Sequence, residues 1–327
     1  MKKPILTLLF FIATFQVIAQ YTVNIYGQID NFNSEEFVFL AVGGELMPLN
    51  LSSSGSFSVD ASITQFPSYF TLDKVSKRGK IEHQLPRIWF ESDSVKVNID
   101  WKDRTFQMEG IMPYQSISDE IEALRGKEQI AFILRNPNQI PSLYFTEREK
   151  EKIAIDDLDK FTQNVPEEYK KSIYVKRIDN YLEAKRRKPI KKGDQLKDFS
   201  LPDKSGDQIP VISRNDKPTL IALFSTGCSF SLASIGLLKQ FSELDNNSVQ
   251  LVTIWEDPTK EIWLNSYQDR KDKITWTNLW DEFGFASTYL SRKSWPTFYF
   301  FNEEGVLVDK FKSYNKKTAK RLKKLAG

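Results

Sequence analysis

The run KPTLIALFS, residues 217–225, is apolar at consecutive positions rather than alternate ones. A strand with one face in water alternates, whereas one that is apolar throughout is covered on both faces, as in a parallel sheet. Directly after it come STGC and then SLASIGLLKQFSEL, whose Leu232, Ile235, Leu238 and Phe241 fall at helical spacing. Beyond this buried strand and amphipathic helix the alternation continues. VQLVTIW reads as a strand, PTKEIWLNSYQDR as a helix, PTFYFFNEEGVLVDKF as two strands with a turn, and KKTAKRLKKLAG as a helix. Residues 193–327 are expected to form an α/β domain in which helices cover a central sheet.

Upstream the pattern differs. At 327 residues the chain exceeds what one ordinary core organises. Residues 20–113 carry short runs of β-branched and aromatic residues (YTVNIYGQID, EEFVFLAV, GSFSVDASI, SYFTLDKV, PRIWFES, SVKVNIDWK) separated by turn chemistry such as SSSG and SKRGK. About six or seven strands at this spacing predict an all-β, sandwich-like or barrel-like domain. Residues 114–192 have helical spacing interrupted at Pro141 and Pro166, and read as a helical connector that ends in the solvated charge run KRRKPIKK.

The N-terminus, MKKPILTLLFFIATFQVIAQ, places Lys2 and Lys3 before an apolar stretch and small residues at 17 and 19. That is the layout of a secretory signal peptide over residues 1–19, with cleavage after Ala19. The apolar stretch is too short for a stable membrane span, so a periplasmic or secreted protein is expected. The formal net charge of +3 falls close to neutral once Lys2 and Lys3 are removed, which gives no footing for nucleic acid. Exported chains tend to pair their cysteines, yet Cys228 is the sole cysteine. It closes no internal bridge, so stability must come from packing, and the thiol is buried, reactive or bonded to another molecule. His83 is the sole histidine. A metal centre built from several His and Cys ligands is excluded, and no residue pattern calls for a cofactor. The basic helix carrying Lys316, Lys317, Lys320, Arg321, Lys323 and Lys324 reads as a solvated face with Leu322 and Leu325 turned inward.

From Lys192 onward, three blocks in order carry a family resemblance: the lead-in GDQLKDFSLPDKSGDQIPV, the strand and thiol TLIALFSTGCSF, and SWPTFYFFNEEGVLVDKF. They resemble the exported TlpA/ResA-like thiol–disulfide oxidoreductases of Bacteroidetes type, whose thioredoxin-like fold pairs an active-site cysteine with a cis-proline. The β-rich segment followed by helices is also similar to the N-terminal extension found ahead of such domains. The resemblance implies that Cys228 is the nucleophile, that Pro296 is the cis-proline, and that Trp295, Pro296 and Thr297 lie against an extended substrate.

The departures limit the chemistry. Where the family carries W-C-x-x-C, this chain reads Gly227-Cys228-Ser229-Phe230-Ser231, so Ser231 replaces the resolving sulfur in a CxxS site. Ser234 stands where the family often has a glutamate, and Gly236 where many members have a helix-kinking proline. A thiol at a helix N-terminus faces free N–H groups and the positive end of the helix dipole, and Ser231 one turn on is expected to donate a further hydrogen bond. Attack on a disulfide remains open to such a site, but two-electron reduction within one chain does not. The expected chemistry is monothiol thiol–disulfide exchange: Cys228 forms a mixed disulfide with a client protein or small thiol, and an external thiol reductant releases it. Two alternatives stand beside it. One is a non-catalytic thioredoxin-fold binding module in which Cys228 is a small packed hydrophobe. The other is a one-cysteine peroxidase-like activity, suggested by Ser225 three residues before Cys228.

Overall fold

The computed structural model describes residues 21–32, 37–63, 65–76, 81–109, 113–212, 217–244 and 248–325. The leader-like residues 1–19 and the cleavage point after Ala19 lie outside these. The chain divides between Ser118 and Asp119 into two compact units.

In the first unit, alternating sequence becomes alternating burial. One four-stranded sheet has the order β4-β1-β8-β9, built from β1 (Tyr21–Asp30), β4 (Ser56–Ile63), β8 (Ser94–Asp100) and β9 (Thr105–Met108). A second comprises β2 (Phe37–Val42), β3 (Glu45–Pro48), β5 (Ser68–Val75), β6 (Ile81–Gln84) and β7 (Ile88–Phe90), with β6 and β7 both pairing β5. Val23, Ile25, Val95 and Val97 of the first sheet share one apolar core with Val38, Leu40, Phe70 and Leu72 of the second. Most pairings are antiparallel, but β1 runs parallel to β8 in a register that sets Gly27 against Val97. Gly27 has φ +155°, and a Cβ there would sit 1.7 Å from the Val97 carbonyl oxygen, so this close backbone approach requires glycine. Helix α1 (Pro113–Ala123) begins in this unit, where Gln115 Oε1 accepts a hydrogen bond of 2.8 Å from the Trp89 N–H.

The second unit opens with helices α2 (Gly126–Arg135), α3 (Ile140–Glu149), α4 (Ile155–Asn164), α5 (Glu167–Lys170) and α6 (Ile173–Arg186). The two prolines that interrupt the helical pattern stand at helix starts: Pro141 in the first turn of α3 and Pro166 as the residue capping α5. A missing N–H costs nothing there. Next come the hairpin strands β10 (Ser200–Pro202) and β11 (Gln208–Pro210). The central sheet has the order β14-β13-β12-β15-β16 and is formed by β12 (Thr219–Phe224), β13 (Gln250–Trp255), β14 (Thr277–Trp280), β15 (Thr297–Phe301) and β16 (Leu307–Lys312). Strands β12, β13 and β14 are parallel; β15 and β16 complete the sheet antiparallel.

Every residue of β12 is buried, and its two faces enter two cores. Ile221 and Leu223 pack with Ala184 of α6 and with Phe285 and Tyr289 of helix α9 (Phe285–Tyr289). Leu220, Ala222 and Phe224 pack with α7 (Ser229–Leu244), α8 (Lys260–Gln268) and α10 (Lys316–Leu325), through Leu238, Trp263 and Leu322 among others. The continuous apolar run is thus explained by helices on both sides, and α6, at the end of the helical stretch, belongs to one of those layers. The tryptophans divide accordingly: Trp255, Trp263 and Trp280 are core residues, the last two stacked at 6.2 Å, whereas Trp295 stays half-buried in a loop. No helix among the described residues is long and apolar enough to cross a membrane.

Candidate functional site

Strand β12 ends because Ser225, Thr226 and Gly227 break the apolar run, and α7 starts after four intervening residues. Cys228 N–H donates to the Ser225 carbonyl at 3.1 Å, closing a turn, and the Cys228 carbonyl accepts from Leu232 N–H at 3.2 Å, the first bond of the helix. Cys228 therefore occupies the capping position at the N-terminus of α7, the positive end of that helix. It is partly exposed. Gly227 is exposed and a Cβ there would meet only Ser225 Oγ, at 3.8 Å, so space does not dictate glycine at this position. Phe230 is 57% exposed in the first turn of α7.

The opposite wall is the loop entering β15. The Trp295–Pro296 peptide is cis. Cys228 Sγ donates a weak hydrogen bond of 3.5 Å to the Trp295 carbonyl oxygen, so the thiol and the Trp295–Pro296 loop are brought together. Thr297 is buried and its Oγ1 donates to the Ser294 carbonyl at 2.6 Å, which ties the loop to itself. Ser231 is fully buried, and its Oγ accepts from Ser225 N–H at 3.4 Å. Among the described residues the hydrogen-bond partner of the Cys228 sulfur is Trp295 and not Ser231. Ser234 is buried and donates back to the Phe230 carbonyl at 2.7 Å, while Gly236 faces open space.

No local motif marks Glu256 and Asp257 in the sequence. The parallel pairing of β12 with β13 sets Trp255 beside Phe224, so the two residues after β13 emerge beside the turn before Cys228. Asp257, 2% exposed, accepts at Oδ1 from Thr226 N–H at 2.8 Å, from Thr226 Oγ1 at 2.9 Å and from Ser225 Oγ at 3.4 Å. Burial pushes its carboxyl above the ordinary carboxylate range, and the Thr226 and Ser225 hydrogen bonds pull the other way. Its Oδ2 is buried with no hydrogen-bond partner among the described residues. Glu256 Oε2 accepts from Arg292 Nε at 2.9 Å and from the Ser287 hydroxyl. The Arg292 guanidinium lies 3.9 Å from the centre of the Trp295 ring. Asp281 is also buried; desolvation, then the charge of Glu256, raise its carboxyl to about 7. Among the described residues no cluster of three or more His, Cys, Asp or Glu side chains forms a metal-binding group.

No family profile matches the sequence, and neither does any curated protein. Among solved structures the chain is similar to a thiol-disulfide oxidoreductase from Bacteroides fragilis, at 18% identity and a TM-score of 0.35 over 40% of this chain and 99% of that one. It is similar to the thioredoxin domain of a thiol-disulfide oxidoreductase from Bacteroides vulgatus, at 17% identity and a TM-score of 0.37 over 42% and 99%. A lipoprotein thioredoxin from Streptococcus pneumoniae matches at 22% identity and a TM-score of 0.35 over 39% and 98%.

Proposed function

We propose that residues 193–327 form a thioredoxin-like domain of the TlpA/ResA-like kind, and that Cys228 carries out monothiol thiol–disulfide exchange outside the cytoplasm, to which the leader-like residues 1–19 direct the chain. The observation that carries this reading is the partly exposed sulfur at the N-terminus of α7, 3.5 Å from the carbonyl that precedes the cis Trp295–Pro296 bond. The Cys228 thiolate attacks a client disulfide; one client sulfur joins Cys228 and the other leaves as a thiolate. An external thiol then attacks that mixed disulfide, taking the client sulfur and returning Cys228 as a thiolate. Each step exchanges one S–S bond for another, so no net oxidant is consumed. Ser231 offers no sulfur to resolve the intermediate internally, and Trp295, Pro296 and Thr297 form the edge along which an extended client lies.

A second reading, a binding module without chemistry, draws on one observation: the exposed Phe230 and the bare Gly227 flank the thiol and offer an apolar landing surface. One experiment separates the two. The native protein is incubated with a peptide disulfide, and the adducts are resolved by mass. Exchange predicts an adduct that forms at neutral pH, vanishes in Cys228→Ser, and fails to accumulate in Ser231→Cys because the new thiol displaces the peptide. A thiol that reacts only after unfolding would refute exchange and leave the binding module.

A further inference from the structure

Two loops meet at Cys228, and both are fastened to the same two consecutive residues. On one side Asp257 holds Ser225 and Thr226, the residues that turn β12 toward the thiol, through three hydrogen bonds to one carboxylate oxygen. On the other side Glu256 pairs with Arg292, whose guanidinium lies over the Trp295 ring, and Trp295 presents the carbonyl that the Cys228 sulfur touches. Both carboxylates stand at the end of β13, whose last ladder position and the Glu256 N–H to Phe224 carbonyl bond of 3.0 Å fix them against the end of β12. Successive residues leaving a strand point to opposite sides, which is how adjacent positions reach two different loops.

We propose that Glu256 and Asp257 are a pair of positioning residues that hold the thiol turn and the Trp295–Pro296 loop in register, and so set the Cys228 sulfur against the Trp295 carbonyl. This rests on the reading of Cys228 as an exchanging thiol. Neither carboxylate touches the sulfur; each acts through another residue. The two arms separate by substrate. Asp257 governs the turn that carries the sulfur, and therefore its reaction with any disulfide, small or large. Glu256 governs Trp295 through Arg292, and therefore the capture of an extended peptide more than attack on a small reagent.

The test uses the full-length protein, an aromatic disulfide as the small reagent and a peptide disulfide as the extended one, together with amide exchange at Thr226. Asp257→Ala is expected to change the Cys228 rate with both reagents by about tenfold, the equivalent of a lost charge-assisted hydrogen-bond set. Asp257→Asn keeps an oxygen to accept from Thr226 and should stay within about threefold of the native protein. Glu256→Ala should slow peptide capture by about tenfold while the small reagent shifts by less than about threefold, and Glu256→Gln should restore capture. Thr226→Val, which removes one donor and keeps the backbone bond, stands in for Asp257→Ala if that variant does not fold. Unchanged rates together with unchanged Thr226 exchange in Asp257→Ala would overturn the proposal, as would an unchanged rate with both reagents in Thr226→Val or an Asn variant as impaired as the Ala variant. If the native thiol proves inert the exchange reading fails alone, and Thr226 amide exchange still decides whether Asp257 holds the turn.

Discussion

Asp281 follows β14 directly and receives the Ser287 N–H at 3.1 Å, yet it has been taken out of water beside the charge of Glu256. Its carboxyl, at 3.8 in the unfolded reference, rises to about 7 in the fold. The folded state therefore binds the proton more tightly than the unfolded chain. Stability from this group is greatest below the lower value and falls as pH rises through the window to the upper one. We expect the native protein to lose on the order of a few kcal/mol between about pH 4 and pH 7 that Asp281→Asn does not lose. Urea unfolding of both proteins across that range checks it, and parallel pH profiles would refute it. At this scale the sequence marks Cys228, Ser231 and Pro296 as candidates, because each occupies a recognisable place in a local pattern. It does not disclose Glu256, Asp257 or Arg292. Their partners lie on other strands and loops, 31 positions away in sequence for the Thr226 to Asp257 bonds, which the β12–β13 register brings together, and in the loop before β15 for Arg292.

Strand β1 owes its place to a residue without a side chain. At Gly27 a Cβ would meet backbone, the Val97 oxygen at 1.7 Å, and backbone in a ladder cannot turn aside as a side chain can. Gly27→Ala is expected to cost about 2–4 kcal/mol, the range of a forced strand separation combined with a strained φ. A shift in the denaturant midpoint of the first unit measures it, and a near-native midpoint would count against the close approach. The alternation of β1 and the uniform burial of β12 were both legible, since period two and period one leave distinct marks on a sequence. Strand β14 and helix α9 were not. TNLW spans only Thr277–Trp280 and FASTY only Phe285–Tyr289, too short to establish a period, and β14 exists because β13 offers it a parallel edge. The sequence predicts a hydrogen bond from the Ser231 hydroxyl to the thiol; in the fold that oxygen accepts from Ser225 N–H, buried in the first turn of α7, which no local pattern encodes.

Each unit has cores of its own. A cavity cut in one is therefore expected to leave the chemistry of the other in place. Phe70→Ala, in the shared core of the first unit's sheets, should cost about 3–5 kcal/mol of that unit's stability. The rate at which Cys228 meets a small disulfide should stay unchanged under native conditions. Parallel measurement of unfolding by calorimetry and of thiol reactivity would show this, and a matched fall in both would refute it. The division into a β-rich part and a later α/β part was legible from the change of periodicity along the chain. That α6 joins the layers over the later sheet was not, because an amphipathic helix declares that one face is buried but not what buries it.

Gly227 stands immediately before the thiol, exposed and with room around its Cα. A bulky side chain in that place would roof the sulfur and select partners by what fits beneath it. Here the approach on that side is bare backbone, so under the proposed exchange a flat or crowded partner would press its own surface against Cys228, and Phe230 and Trp295 are the neighbouring side chains left to select it.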